Sequence, residues 1–130
     1  MIVDDEPFNL IALKAFLVQL GHMNVDTADD GQEALKMIIQ NKADAKCGTS
    51  DHTSYKLLIT DNQMPQMTGL ELIERVHNLK NQNLMPKSLK LVLLSGDYHN
   101  LPLVEGIEKV YQKPITRVQL SDLLTRVELI

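Results

Sequence analysis

Apolar runs that stop abruptly at a polar residue and give way to a helical pattern restrict the fold of this chain more than any other feature. Leu57-Leu58-Ile59 leads into Thr60-Asp61, and a helical pattern runs from Gly69 to Leu79. Ile2-Val3 ends at Asp4-Asp5-Glu6. Leu89 to Leu94 ends at Ser95-Gly96-Asp97, and Lys109 to Gln112 ends at Lys113-Pro114. His22 to Ala28 alternates more weakly and reads as a further strand. The nearly unbroken apolar character of the Tyr55 to Thr60 run suits a parallel strand covered on both faces.

The segments between these runs carry helix signals. Pro7 suits a first helical position, where its missing N–H costs nothing. Leu10, Leu13, Leu17 and Leu20 then fall on one helical face, and Gly21 is placed to cap it. Asp30, Thr68 and Thr116 each have Glu or Gln three residues later, the spacing of a capping box. Behind them, Ala34, Leu35, Ile38 and Ile39, then Leu72, Ile73, Val76 and Leu79, then Leu120, Leu123, Leu124 and Val127 form the apolar faces. Asn41 to Ser54 and Asn81 to Ser88 read as polar loops. Asp97 to Gly106 reads as a short or irregular helix, because Pro102 lies inside it. Strands alternating with helices imply one α/β domain over residues 1–130, a doubly wound five-stranded parallel sheet with helices on both faces. The first run is short for a strand and reads as truncated at its N-terminus.

Composition narrows the function classes. A net charge of −4 and an aromatic content of 4% without Trp argue against direct nucleic-acid binding. Cys47 is alone, so no internal disulfide forms, which fits a reducing, cytoplasmic setting. No apolar run approaches the ~20 residues that span a bilayer, so no membrane contact by this domain is expected, although a parent protein could be anchored.

Right-handed crossovers put the carboxyl ends of all strands on one rim. That rim gathers Asp4, Asp5, Asp61, Ser95 and Lys113. Adjacent carboxylates raise one another's pKa unless a cation relieves them, and Mg²⁺ takes oxygen ligands while keeping waters. A carboxylate can attack phosphorus to give an aspartyl phosphate. Mg²⁺, the Lys113 ammonium and the Ser95 hydroxyl would neutralise charge on the transferred group. Read singly, Asp4 and Asp5 could be acids favoured at a helix N-terminus, Asp61 a turn residue, Ser95 a strand end and Lys113 a surface lysine. The four His show no zinc spacing.

Together these motifs resemble the receiver domain of two-component response regulators. They are Ile2-Val3-Asp4-Asp5-Glu6, Asp61-x-x-Met64-Pro65-x-Met67-x-Gly69, Leu93-Leu94-Ser95-Gly96 and Lys113-Pro114, in this order along the chain. The resemblance implies a flavodoxin-like fold with strand order 2-1-3-4-5. It implies that Asp61 accepts a phosphoryl group from a phosphohistidine on a histidine kinase or histidine phosphotransfer protein. Asp5, Asp61 and the backbone carbonyl of Gln63 would ligate Mg²⁺, with Asp4 acting through water. Lys113 and Ser95 would contact the phosphoryl group, and the Lys113-Pro114 peptide would be cis. A second copy or an output partner would bind the face made by the fourth helix, fifth strand and fifth helix. Such a domain is no enzyme beyond its own phosphorylation and dephosphorylation. The Met-Pro turn is similar to receivers fused to hybrid sensor kinases.

The chain departs from the family pattern in three places. Val110 stands where the family has an aromatic switch residue, with Tyr111 on the opposite strand face. The segment from Ser95 to Lys113 is short by about one helical turn, and the Asn41 to Ser54 loop is long. These departures motivate a competing reading, a constitutive interaction module with impaired switching. A phosphatase is disfavoured because Gln63 stands where a second acid is needed. An FMN carrier is disfavoured because no phosphate-binding loop follows the first strand.

Overall fold

The computed structural model describes residues 1–21, 25–43, 55–82, 89–96 and 106–127, with backbone alone for 41–43. Strands β1 (Ile2–Val3), β2 (Thr27–Ala28), β3 (Leu57–Asp61), β4 (Lys90–Ser95) and β5 (Ile107–Gln112) form one parallel sheet in the order β2-β1-β3-β4-β5. Helices α1 (Pro7–Gln19), α2 (Gly31–Ala43), α3 (Gly69–Asn81) and α4 (Arg117–Arg126) lie between or after the strands. This is the doubly wound sheet that the alternation implies. The expected irregular helix over 97–106 and the loops over 44–54 and 83–88 fall outside the described residues, except for Gly106.

Side chains alternate across the sheet. Leu58, Leu91 and Leu93 point to one face and pack with Ala34, Ile38, Leu72, Ile73 and Val76 of α2 and α3. Ile2, Ile59, Val92, Leu94 and Tyr111 point to the other and pack with Leu13, Leu17, Leu120, Leu123 and Leu124 of α1 and α4. β3 and β4 are buried almost throughout, which explains their continuous apolar sequence. Val110 packs with the first cluster and Tyr111 with the second, so the two sit on opposite faces as strand alternation requires.

Helix starts follow the sequence signals closely. Asp30 Oδ1 accepts from the Glu33 N–H at 2.7 Å, and Thr68 Oγ1 accepts from the Glu71 N–H at 3.2 Å. Thr116 and Gln119 complete a reciprocal capping box. Gly21, with φ of 98°, follows the last turn of α1 in the left-handed region that favours glycine.

Two expectations for α2 are corrected. Ile39 is 46% exposed, since it lies about 100° round the helix from Ile38; Met37 packs on the core from the other flank. Asn41, Lys42 and Ala43 are helical rather than loop, because no Gly or Pro stops the helix before them. The second strand is confined to Thr27–Ala28 within the described residues.

Candidate functional site

Strand register places the polar rim. Val3 pairs with Thr60, so Asp4, the next residue, falls beside Asp61. Asp61 pairs with Leu94, and Ser95 follows one step on. Ser95 pairs with Gln112, and the Lys113 N–H donates to the Ser95 carbonyl at 2.9 Å. Four neighbouring strands, β1, β3, β4 and β5, therefore deliver Asp4, Asp61, Ser95 and Lys113 to one edge. The backbone N–H of Asp4 is tied to Ala28 O of β2, and that of Asn62 to Leu94 O, so the rim itself is anchored by ladder bonds.

Asp4 and Asp61 are buried and Asp5 is exposed, yet carboxylate oxygens of all three lie within 4.8 Å of one another. Lys113 Nζ is 2.9 Å from Asp61 Oδ1 and 3.4 Å from Asp4 Oδ2. The other Asp4 oxygen accepts from the Glu6 N–H at 2.9 Å, where the chain enters α1. Ser95 is fully buried at the end of β4. Gln63 is exposed in the turn after β3, and its backbone N–H works to lower the Asp61 pKa.

The electrostatics follow from burial. Loss of water pushes the Asp61 carboxyl above its ordinary value. The Lys113 hydrogen bond opposes this, the Asp4 charge adds to it, and the net direction is upward. Burial pulls the Lys113 ammonium down, but its hydrogen bond to Asp61 and the charges of Asp61 and Asp4 outweigh that, so it stays charged. Asp4 and Asp61 thus share one ammonium, with the Asp5 carboxylate beside them. A hard divalent cation suits this set, because the donors are all oxygen and Asp5 opens the cluster to water.

The sequence reading gives no role to Asn62 and only a helix-starting role to Gly69. In the structure, Asn62 Oδ1 accepts from the Leu70 N–H at 3.2 Å, and its carbonyl accepts from the N–H groups of Met64 and Gly69. A Cβ at Gly69 would lie 2.2 Å from the Asp61 carbonyl oxygen. The first turn of α3 is therefore pressed onto the backbone of Asp61. The signal for Asn62 was its residue type, since Asx side chains cap nearby N–H groups. The signal for Gly69 required a neighbour that only the fold supplies. The Lys113-Pro114 peptide is cis, as the resemblance implies.

Comparison with known proteins agrees with this arrangement. Residues 1–125 match the family model described as the response regulator receiver domain. A chemotaxis protein CheY homolog of Campylobacter jejuni is 31% identical over 126 residues, covering 95% of this chain and 87% of the relative. The signal transduction histidine-protein kinase BarA of Escherichia coli is 30% identical over 127 residues, which is 97% of this chain and 12% of that kinase. Among solved structures, a receiver domain protein from Clostridium thermocellum superposes with a TM-score of 0.75 at 25% identity, covering 97% of this chain and 90% of that one. The response regulator TrrA of Thermotoga maritima, solved with Mg²⁺ and a beryllofluoride group, gives 0.74 at 26%, covering 97% and 95%. The fold, the strand-end site and these matches together make this chain a member of the response regulator receiver domain family of two-component signalling.

Proposed function

We propose that Asp61 is the phosphoacceptor of this receiver domain, and that a histidine kinase or histidine phosphotransfer protein is its donor. The observation that carries the reading is the Lys113 ammonium 2.9 Å from a buried Asp61 carboxylate oxygen, beside two further carboxylates. An Asp61 oxygen attacks the phosphorus of the phosphohistidine. The P–N bond breaks as the P–O bond forms, and the imidazole nitrogen keeps the electron pair and takes a proton from solvent. Lys113 holds the attacking carboxylate in place and then pairs with a phosphoryl oxygen. The Ser95 hydroxyl donates to another. Asp5, Asp61 and the Gln63 carbonyl would hold Mg²⁺, with Asp4 acting through water; when bound, the cation would neutralise charge on the phosphoryl oxygens.

Residues 1–130 act as one such domain, which catalyses only its own phosphorylation and dephosphorylation. Among the described residues, no helix is long and apolar enough to cross a membrane; a cytoplasmic domain of an anchored parent fits the matches to sensor kinases. An output partner or second copy would bind the face of β5 and α4, where Lys109, Tyr111, Gln119 and Asp122 line a surface pocket. The constitutive-module reading is not favoured by the relatives, a chemotaxis protein CheY homolog and a signal transduction histidine-protein kinase matched over nearly the whole of this chain.

Incubation with acetyl phosphate and Mg²⁺, read by intact mass, is expected to add one phosphoryl group. Asp61→Asn is expected to add none. A wild-type chain that stays unlabelled, or a labelled Asp61→Asn chain, overturns the reading.

A further inference from the structure

The segment between the end of β3 and the start of α3 opens and closes on one residue. The Asn62 N–H donates to the Leu94 carbonyl of β4 at 2.9 Å, which ties the residue to the sheet. Its own carbonyl accepts from the N–H groups of Met64 at 3.1 Å and Gly69 at 3.0 Å, and its side-chain Oδ1 accepts from the Leu70 N–H at 3.2 Å. Two consecutive N–H groups at the start of α3 therefore end on Asn62, and the Thr68 hydroxyl takes the next, that of Glu71. Further along, Met64 and Met67 are buried in the core, which holds the middle of the segment. Gln63, which follows Asn62 directly, keeps its side chain exposed.

The direction of the Gln63 carbonyl is set from Asn62. The peptide between Gln63 and Met64 is trans, so its carbonyl and its N–H point in opposite directions. The Met64 N–H is aimed back at the Asn62 carbonyl in a three-residue turn, so the Gln63 carbonyl is turned away from it. A carbonyl oxygen has two lone pairs, and that of Asn62 uses both, on Met64 and Gly69. The side-chain bond to Leu70 is the third tie, and the only one of these that depends on the residue being Asn.

We infer that Asn62 is a positioning residue for the cation site: its side-chain amide clamps the start of α3 to the end of β3 and so holds the Gln63 carbonyl in place as a Mg²⁺ ligand. The inference rests on the cation site of the phosphoacceptor reading. Asn62 touches neither cation nor phosphoryl group; it acts through the backbone of the next residue. The competing role is that of a plain helix cap. Thr68 supplies the comparison, because its side chain caps the same turn of α3 without holding Asn62.

The test is calorimetric titration of the full chain with Mg²⁺. Asn62→Leu keeps nearly the same shape and removes the acceptor. Its Mg²⁺ dissociation constant is expected to rise about tenfold, the low end for loss of a group that orients a metal ligand. Thr68→Ala is expected to lower the urea midpoint, as loss of a cap does, yet to keep the dissociation constant within about twofold of wild type. Acetyl phosphate labelling gives a second reading. The Mg²⁺ concentration at half-maximal rate should rise with the dissociation constant, while the rate at saturating Mg²⁺ stays close to that of the wild type. Asn62→Ala repeats the measurement if Asn62→Leu does not fold. An unchanged dissociation constant in the Asn62 variant overturns the inference, and so does an equal rise in Thr68→Ala. A wild-type chain that binds no Mg²⁺ shows instead that the cation site itself is wrongly assigned, and the positioning role falls with it.

Discussion

At Gly69 a single added carbon is expected to disturb the site most. The Cβ of an alanine there would meet the Asp61 carbonyl at 2.2 Å and Asn62 Cα at 2.9 Å, both backbone atoms. Neither can rotate away, so α3 must shift or the β3 turn must open. Gly69→Ala is expected to cost about 1–3 kcal/mol, the range for overpacking, and to slow acetyl phosphate labelling of Asp61. Gly96 is the control: among the described residues a Cβ there meets nothing within 4 Å, and φ is not in the left-handed region. Gly96→Ala is expected to shift stability by less than about 0.5 kcal/mol. Urea midpoints of the two variants check both. Equal midpoints would show that α3 can give way at no cost.

Elements gain stability from their ends as well as their faces. In α4 the reciprocal bonds of Thr116 and Gln119 satisfy two N–H groups that would otherwise face solvent. Thr116→Ala is expected to cost about 1 kcal/mol and Thr116→Ser much less, measured by chemical denaturation. The entry to β3 is held by a different device. The buried Tyr55 hydroxyl donates to Asp26 Oδ2 just before β2. Burial, then the Asp26 hydrogen bond and charge, push the Tyr55 phenol above its ordinary value of 10.0. A phenol raised in the folded state stays neutral there, while the unfolded chain loses its proton first. The stabilisation is therefore complete below about pH 10 and is lost as pH rises beyond it. Thermal melts of the wild type should fall through that range. Melts of Tyr55→Phe should fall less, and parallel slopes would refute the link.

The molecule as a whole gathers acid at one rim and leaves it under-neutralised. Mg²⁺ binding to the folded form alone is therefore expected to raise the melting temperature. At a hundredfold excess over Kd the gain is about 2.7 kcal/mol. Chelator should reverse it, and Asp5→Ala should remove most of it, since Asp5 is the exposed member of the cluster. A melting temperature indifferent to Mg²⁺ in the wild type would exclude the cation site. At this scale Val110 also finds its place. It packs with the α2 and α3 cluster while Tyr111 packs with the α1 and α4 cluster. Tyr111 therefore cannot stand in for an aromatic residue on the Val110 side without turning β5 over.

Much of this was legible from periodicity and spacing. Runs such as Leu57 to Ile59 and Leu89 to Leu94 are apolar at every position because each strand is covered on two faces. The Thr116 cap lies within four residues of its partners, so local chemistry announced it. Ile39 was misplaced because one residue of rotation turns a helical side chain from core to water, and an apolar cluster does not state its own centre. The close approach of Gly69 to Asp61 was not legible. It depends on atoms brought together by different elements. Alone, the sequence determined which segments become strands and helices and which residues end the strands, because those choices rest on local pattern. Tertiary structure decided the register that sets Asp4 beside Asp61 and Lys113 on both, because parallel pairing joins residues that no local signal connects.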